Sequence, residues 1–360
     1  MADRPADAQR YEQADLPFYR SEIAPMLPPV VLDFHAHTWS ADDWRATPWE
    51  TDAAGGRYMV TTEQYPPETL LADGRRCFPD REYQAVCFGC PTPAADWEKD
   101  TAFVAAAARN HAGLHPLVLA GKGLGIPRER YERALTEGHF FGFKVFLPWH
   151  GDNYGDTRVE DMLGPVETAL ANERRLVVML HVPGRGRLAD PAVQRGVRWL
   201  AGECPNAHVV LAHCGRCYLP AEMKAAIGSI RGLPNVSMET SMVMDPVVIQ
   251  MVLGEIGPER LMYGTDFPVA AMRGRRVRVM DHWVDVVLPG YPESAFRVAA
   301  SGIRATSMAW EIALAIRWAA EMAGLRASQL HDIFHGNGAR ILQAADGGRP
   351  WRVAASRRNG

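Results

Sequence analysis

The 360-residue sequence predicts an α/β fold, a (β/α)8 TIM barrel, on three observations. Short apolar runs alternate with longer amphipathic stretches along most of the chain, as βα units around a parallel sheet require. Eight such runs are present, the number that closes a barrel. The first run ends in Asp33-Phe34-His35-Ala36-His37, where an open dinucleotide-binding sheet would carry a glycine-rich phosphate loop.

In chain order the predicted strands are 30–34, 83–88, 115–120, 143–146, 176–180, 208–212, 236–239 and 260–264. Helical periodicity separates them at 95–111, 127–136, 159–172, 191–204, 219–230 and 246–256. Three regions exceed a minimal barrel. They are a Pro-containing arm over 1–29, a long first loop over 38–80 with Trp39, Trp44 and Trp49, and an insertion over 267–306 with Arg273, Arg275 and Arg276. A helical tail over 307–345 closes the chain. The resulting plan is an arm (1–29), one barrel domain (30–345) and a C-terminal tail (346–360).

The bulk composition narrows the function classes. At 47% hydrophobic and 22% charged residues with a net charge of −3, the chain has no nucleic-acid footprint. Its most apolar long stretch, 307–324, contains Glu311, Arg317 and Glu321 and reads as an amphipathic helix rather than a membrane span. The polar start Met1-Ala2-Asp3-Arg4-Pro5 lacks an apolar secretory core, so a cytoplasmic protein is expected. Six cysteines in this length do not make a disulfide framework. Cys87/Cys90 and Cys214/Cys217 have Cys-X-X-Cys spacing and read as half-buried thiols at strand ends, with redox or zinc roles as the alternatives.

Chemistry concentrates at the C-terminal strand ends, where barrels carry their sites. His35 and His37 are two residues apart on one strand and project from the same face, as two ligands of one metal would. Strand four carries the lone cation Lys144, strand five ends at His181, strand six at His213, and strand eight runs into Asp266. Any one of these could be structural; their recurrence at equivalent strand ends points to a shared metal site.

The order His-X-His, Lys, His, His, Asp resembles the amidohydrolase superfamily. The segments around Asp33-Phe34-His35-Ala36-His37, Ala212-His213-Cys214-Gly215-Arg216, Gly264-Thr265-Asp266-Phe267-Pro268 and His335-Gly336-Asn337 are similar to its amidohydrolase-2 branch. The resemblance implies that His35, His37, His181 and Asp266 hold one divalent ion, most simply zinc, with His213 beside it. It also implies a second ion, ligated by His213, if Lys144 is carboxylated; one ion is preferred. Asp266 and His213 are then the catalytic pair, Asp266 moving the proton of a water activated by the metal.

Arg216, Arg185 and Arg273, with Arg187, are candidates for a carboxylate on a small-molecule substrate. Trp39, with Trp44, is a candidate pocket wall. The leading expectation is a metal-dependent hydrolase of an amide, lactone or ester bond, working as a homo-oligomer, with a dimer expected. A non-oxidative decarboxylase of an unsaturated or aromatic acid is the alternative, and a silent scaffold would need a broken ligand set.

Overall fold

The computed structural model describes residues 10–44, 62–90, 92, 95–147, 155–291 and 297–345. Trp49 and the segment 346–360 lie outside them. Eight parallel strand positions form the barrel. β1 is Val30–His37 and β2 is Glu82–Phe88. β3 comprises Leu114–Pro116 and Val118–Ala120, interrupted at Leu117, where Pro116 removes a ladder donor. β4 is Gly142–Val145, β5 Val177–Leu180, β6 His208–Leu211, β7 Val236–Glu239 and β8 Leu261–Met262. Leu117 N donates to Cys87 O at 2.9 Å, Phe34 N to Tyr263 O at 2.8 Å and Asp266 N to His35 O at 2.8 Å, so the ring closes between β8 and β1.

β1 is buried from Val31 to His37, as a strand covered on both faces must be. It runs three residues further than its apolar pattern suggests, because the histidines and Asp33 find polar partners inside. Helices pack outside and start at local caps. Asp96 caps Trp97–Asn110, Asp190 caps Pro191–Glu203, Asp245 caps Pro246–Ile256 and Ser307 caps Met308–Met322. The predicted helix 159–172 is split into Val159–Met162 and Pro165–Arg174 by the Gly164-Pro165 step. Helices and 3-10 turns from Tyr11 to Met26 set Phe18 and Tyr19 against Trp310, at ring-centroid distances of 6.0 and 5.9 Å.

The insertion after β8 is a small sheet. β9 (Gly274–Val279) pairs antiparallel with β10 (His282–Val287), which pairs parallel with β11 (Arg297–Ala299). Its arginine-rich sequence hid the strands. No described helix is long and apolar enough to cross a membrane.

Candidate metal centre

The centre lies where β1, β7 and β8 end together. His35, His37, Lys144 and Glu239 are fully buried, and His213 and Asp266 are 3% exposed. Each histidine is oriented from behind. His35 Nδ1 lies 2.8 Å from Glu239 Oε1, an acceptor, so His35 presents Nε2 forward. His37 Nδ1 lies 3.0 Å from the Gly89 carbonyl, with the same result. His213 Nδ1 lies 3.1 Å from Ser241 O and 2.7 Å from Ser241 Oγ. Since a carbonyl only accepts, these ring nitrogens carry the protons and the Nε2 atoms carry lone pairs.

Those lone pairs converge on one oxygen. Asp266 Oδ1 is 3.2 Å from His35 Nε2 and 3.3 Å from His37 Nε2. Among the described residues neither His37 Nε2 nor Asp266 Oδ1 has a hydrogen-bond partner, although both are buried. A carboxylate oxygen facing two neutral imidazoles is repulsive unless a cation joins them. In spite of burial and of Lys144, Glu239 and Asp266 raise the affinity of His35 for a proton, and a metal ion in place of that proton would join all three groups. His35, His213 and Asp266 offer ligand atoms within 4.8 Å of one another. His213 thus stands inside the group rather than beside it, its ring 4.8 Å from that of His35.

His181 is not part of that tight group. Its ring stacks on Phe146 at 4.9 Å and meets His213 edge-on at 5.1 Å, and its Nδ1 is buried without a partner. Lys144 Nζ is 3.3 Å from His35 Nε2 and 4.4 Å from the centre of the Phe88 ring.

The electrostatics follow from burial and from these contacts. Burial lowers the Lys144 ammonium to about 7 and His213 to about 3, and holds His181 well below the usual imidazole range. Burial alone would raise Asp266, but the neighbouring His35 and the contact with His37 outweigh it and keep it well below the usual carboxylate range. Glu239 is drawn down to about 2 in spite of its burial, chiefly by His35. It accepts from His213 N and Ser241 N at 2.7 Å and from Ser241 Oγ at 2.8 Å.

Glu239 is the residue that the sequence reading missed, although a carboxylate closing the seventh apolar run is a signal of the same kind as Asp266. Gly264 makes room for it: a Cβ there would stand 2.2 Å from Glu239 Oε2. Asp33 was missed too. It accepts from His35 N at 3.0 Å, Thr265 N at 2.9 Å and Tyr83 Oη at 2.7 Å, fastening β1 to β2 and β8.

The backbone from His213 to Arg216 is a left-handed turn, with φ of 55°, 48°, 68° and 60°, and Asp266 has φ of 72°. Outside glycine each such residue costs on the order of 1–3 kcal/mol, a cost held here by the bonds to Glu239 and Ser241.

Several predicted substrate residues lie elsewhere. Arg273 pairs with Asp15 of the N-terminal arm and donates to Ala305 O at 2.8 Å, because the chain turns outward after Asp266. Arg185 is exposed and packs at Gly155. Trp39 is fully buried, donates to Glu63 O and packs on Tyr65 at 5.6 Å, so it fills the first loop instead of lining a pocket. Trp44 also donates to Glu63 O. Arg216 remains beside the centre. All six cysteines are free and buried.

The barrel gathers histidines and an aspartate at its strand ends, a donor set that fits a metal ion. The model of the amidohydrolase-2 family, described as amidohydrolase, matches residues 32–343, and the chain belongs to that family. A search of curated proteins finds no matching relative. Among solved structures, a Burkholderia multivorans amidohydrolase with bound zinc is 18% identical, with a TM-score of 0.56 over 87% of this chain and 99% of its own. A putative 2-pyrone-4,6-dicarboxylic acid hydrolase from Pseudomonas putida is 15% identical, with a TM-score of 0.51 over 90% and 99%. A 2,6-dihydroxybenzoate decarboxylase in complex with 2,6-dihydroxybenzoate is 13% identical, with a TM-score of 0.50 over 88% and 99%. These likenesses support the fold.

Proposed function

We propose that the protein is a metal-dependent hydrolase that adds water to an amide, lactone or ester carbonyl of a small molecule. One observation carries this reading: Asp266 Oδ1, buried and without a hydrogen bond, faces the Nε2 atoms of both His35 and His37. His35, His37, Asp266 and His213 would hold one divalent ion, with His181 completing the set. Zinc suits nitrogen and carboxylate donors, and the zinc-bound Burkholderia relative is consistent with that choice. A second ion would require Lys144 to be carboxylated; three residues within mutual reach suffice for one ion, and one is our reading.

When bound, the metal supplies a water of lowered pKa and polarises the carbonyl. The residues do the rest. Asp266, ionised at neutral pH, takes the proton of the attacking water and returns it to the leaving oxygen or nitrogen. Burial keeps His213 neutral, so its Nε2 stays free to hold the ion and its ring does not compete for the proton. Glu239 holds the ring of His35 and the backbone of His213 in one frame.

The test is a panel of lactones, N-acyl amino acids, aryl esters and aromatic acids assayed with zinc-loaded protein, measuring acid release and carbon dioxide. Hydrolysis that is abolished in Asp266→Asn is expected. Carbon dioxide evolution without hydrolysis would replace this reading with the decarboxylase.

A further inference from the structure

Three guanidiniums surround the phenol of Tyr218, and their partners differ. Arg187 is paired with Glu222 at 2.9 Å and lies over the Tyr218 ring at 5.3 Å. Arg276, carried in by β9, forks onto Asp285 at 2.8 and 3.1 Å. It is held between the Trp283 ring at 3.7 Å and the Tyr218 ring at 4.4 Å. Arg216 donates once, to Val182 O at 2.9 Å, the residue after His181. Among the described residues no carboxylate stands within ion-pairing distance of it.

Arg216 also lies at the edge of the centre. The left-handed turn that begins at His213 presents it three residues later, and its guanidinium bonds to the carbonyl of Val182, next to His181. The ring of Tyr218 is 6.2 Å from that of His213. Both side chains are only half-buried, at the edge of the buried centre. A guanidinium only donates and a phenol carries one O–H donor, so both groups can turn donors toward an anion. Lys144, the other cation in the region, is sealed at 0% exposure between Phe88 and Phe146.

We propose that Arg216 and Tyr218 form the receptor for a carboxylate on the substrate. The guanidinium fork and the phenol O–H supply donors from two side chains, and the flanking pairs Arg187–Glu222 and Arg276–Asp285 keep the two in place without competing for the anion. The substrate class is therefore a small carboxylic acid whose second functional group, the lactone, amide or ester, reaches the centre beside His213. This deepens the hydrolase reading and rests on it for the bond broken. Recognition of the anion stands independently.

Binding separates the two. Titrate the purified protein calorimetrically with malonate, phthalate and their dimethyl esters, and measure the metal content of every variant. Wild type is expected to bind the dianions and not the diesters. Arg216→Gln should weaken dianion binding about 10- to 100-fold, the loss expected for hydrogen bonds to a charged group. Arg216→Lys, which keeps charge but loses the fork, should fall between the two, and Tyr218→Phe should cost about 3- to 10-fold at unchanged metal content. If Arg216→Gln fails to fold, the Arg216→Lys result decides alone. Binding by Arg216→Lys or Arg216→Gln equal to wild type, diester binding equal to dianion binding, or no dianion binding by wild type at 10 mM overturns the proposal. Intact dianion binding in a protein that hydrolyses nothing on the panel leaves the receptor standing and removes the hydrolase.

Discussion

The two sides of the barrel mouth hold charge in opposite states of completion. On the β1–β8 side, Asp266 Oδ1 and His37 Nε2 face each other, both buried and without a hydrogen-bond partner among the described residues. On the side of the insertion, Arg187 and Arg276 have their carboxylates, while Arg216 has none among the described residues. One side therefore fits a metal and the other an anion. A buried carboxylate elsewhere in the chain sharpens the contrast. Asp43, 1% exposed, is pushed up to about 6 by burial, with Asp42 and Asp96 adding to the rise, and nearby Asp100 is pushed well above its usual range, burial again leading and Asp43 adding to it. There a proton relieves the buried charge. At Asp266 the histidines hold the charge on, which leaves it available to a metal.

The comparison can be broken at each of its parts. The largest effect is expected at Asp266. Asp266→Asn keeps the shape but removes both the charge and the proton acceptor, and turnover should fall by about 10²–10⁴-fold or more, with an unchanged circular dichroism spectrum. Near-wild-type turnover would reject Asp266 as the base. Next is Glu239→Gln, which leaves His35 Nδ1 a hydrogen-bond partner without the negative charge. Metal affinity should drop by about 10- to 100-fold, read by competition with a chromophoric chelator.

On the other side, Arg276→Met removes the fork to Asp285 and the cation between Tyr218 and Trp283. Stability should fall by about 1–3 kcal/mol in urea melts and KM should rise more than kcat falls, since the centre itself is untouched. An unchanged melt would show that the stack does not hold the wall. The smallest effect is expected at Asp43. The folded carboxyl keeps its proton to about pH 6, whereas the unfolded one loses it near 3.8, so stability declines as pH rises through that window. Asp43→Asn should raise Tm by a few degrees at pH 8 and leave it unchanged at pH 4, with activity unaltered.

Much of the centre was legible because strand periodicity and barrel geometry are both readable in one dimension. His35 and His37 share a face by alternation, and His213 and Asp266 sit where apolar runs stop. Glu239 was hidden because its run, Val236–Glu239, is short and mixed, and its partner His35 is 204 residues away. The arginines were the hardest to place. Arg216, Arg185 and Arg273 all follow strand-end residues closely, yet loop paths send Arg273 to Asp15 and Arg185 to solvent. The left-handed turn that retains Arg216 depends on Glu239 and Ser241, which no local pattern reveals. The insertion sheet was invisible for a related reason: Gly274–Val279 carries three arginines among six residues, and the buried one, Arg276, is accommodated by Trp283, Tyr218 and Asp285 rather than by water.

The most direct test of the central claim is zinc binding by the purified chain, measured as stoichiometry and dissociation constant for wild type, Asp266→Asn and Arg216→Gln side by side. The account predicts one ion per wild-type chain, retained by Arg216→Gln and lost or greatly weakened in Asp266→Asn. A wild-type protein that takes up no stoichiometric divalent metal, or an Asp266→Asn variant that binds it as tightly as wild type, would contradict it.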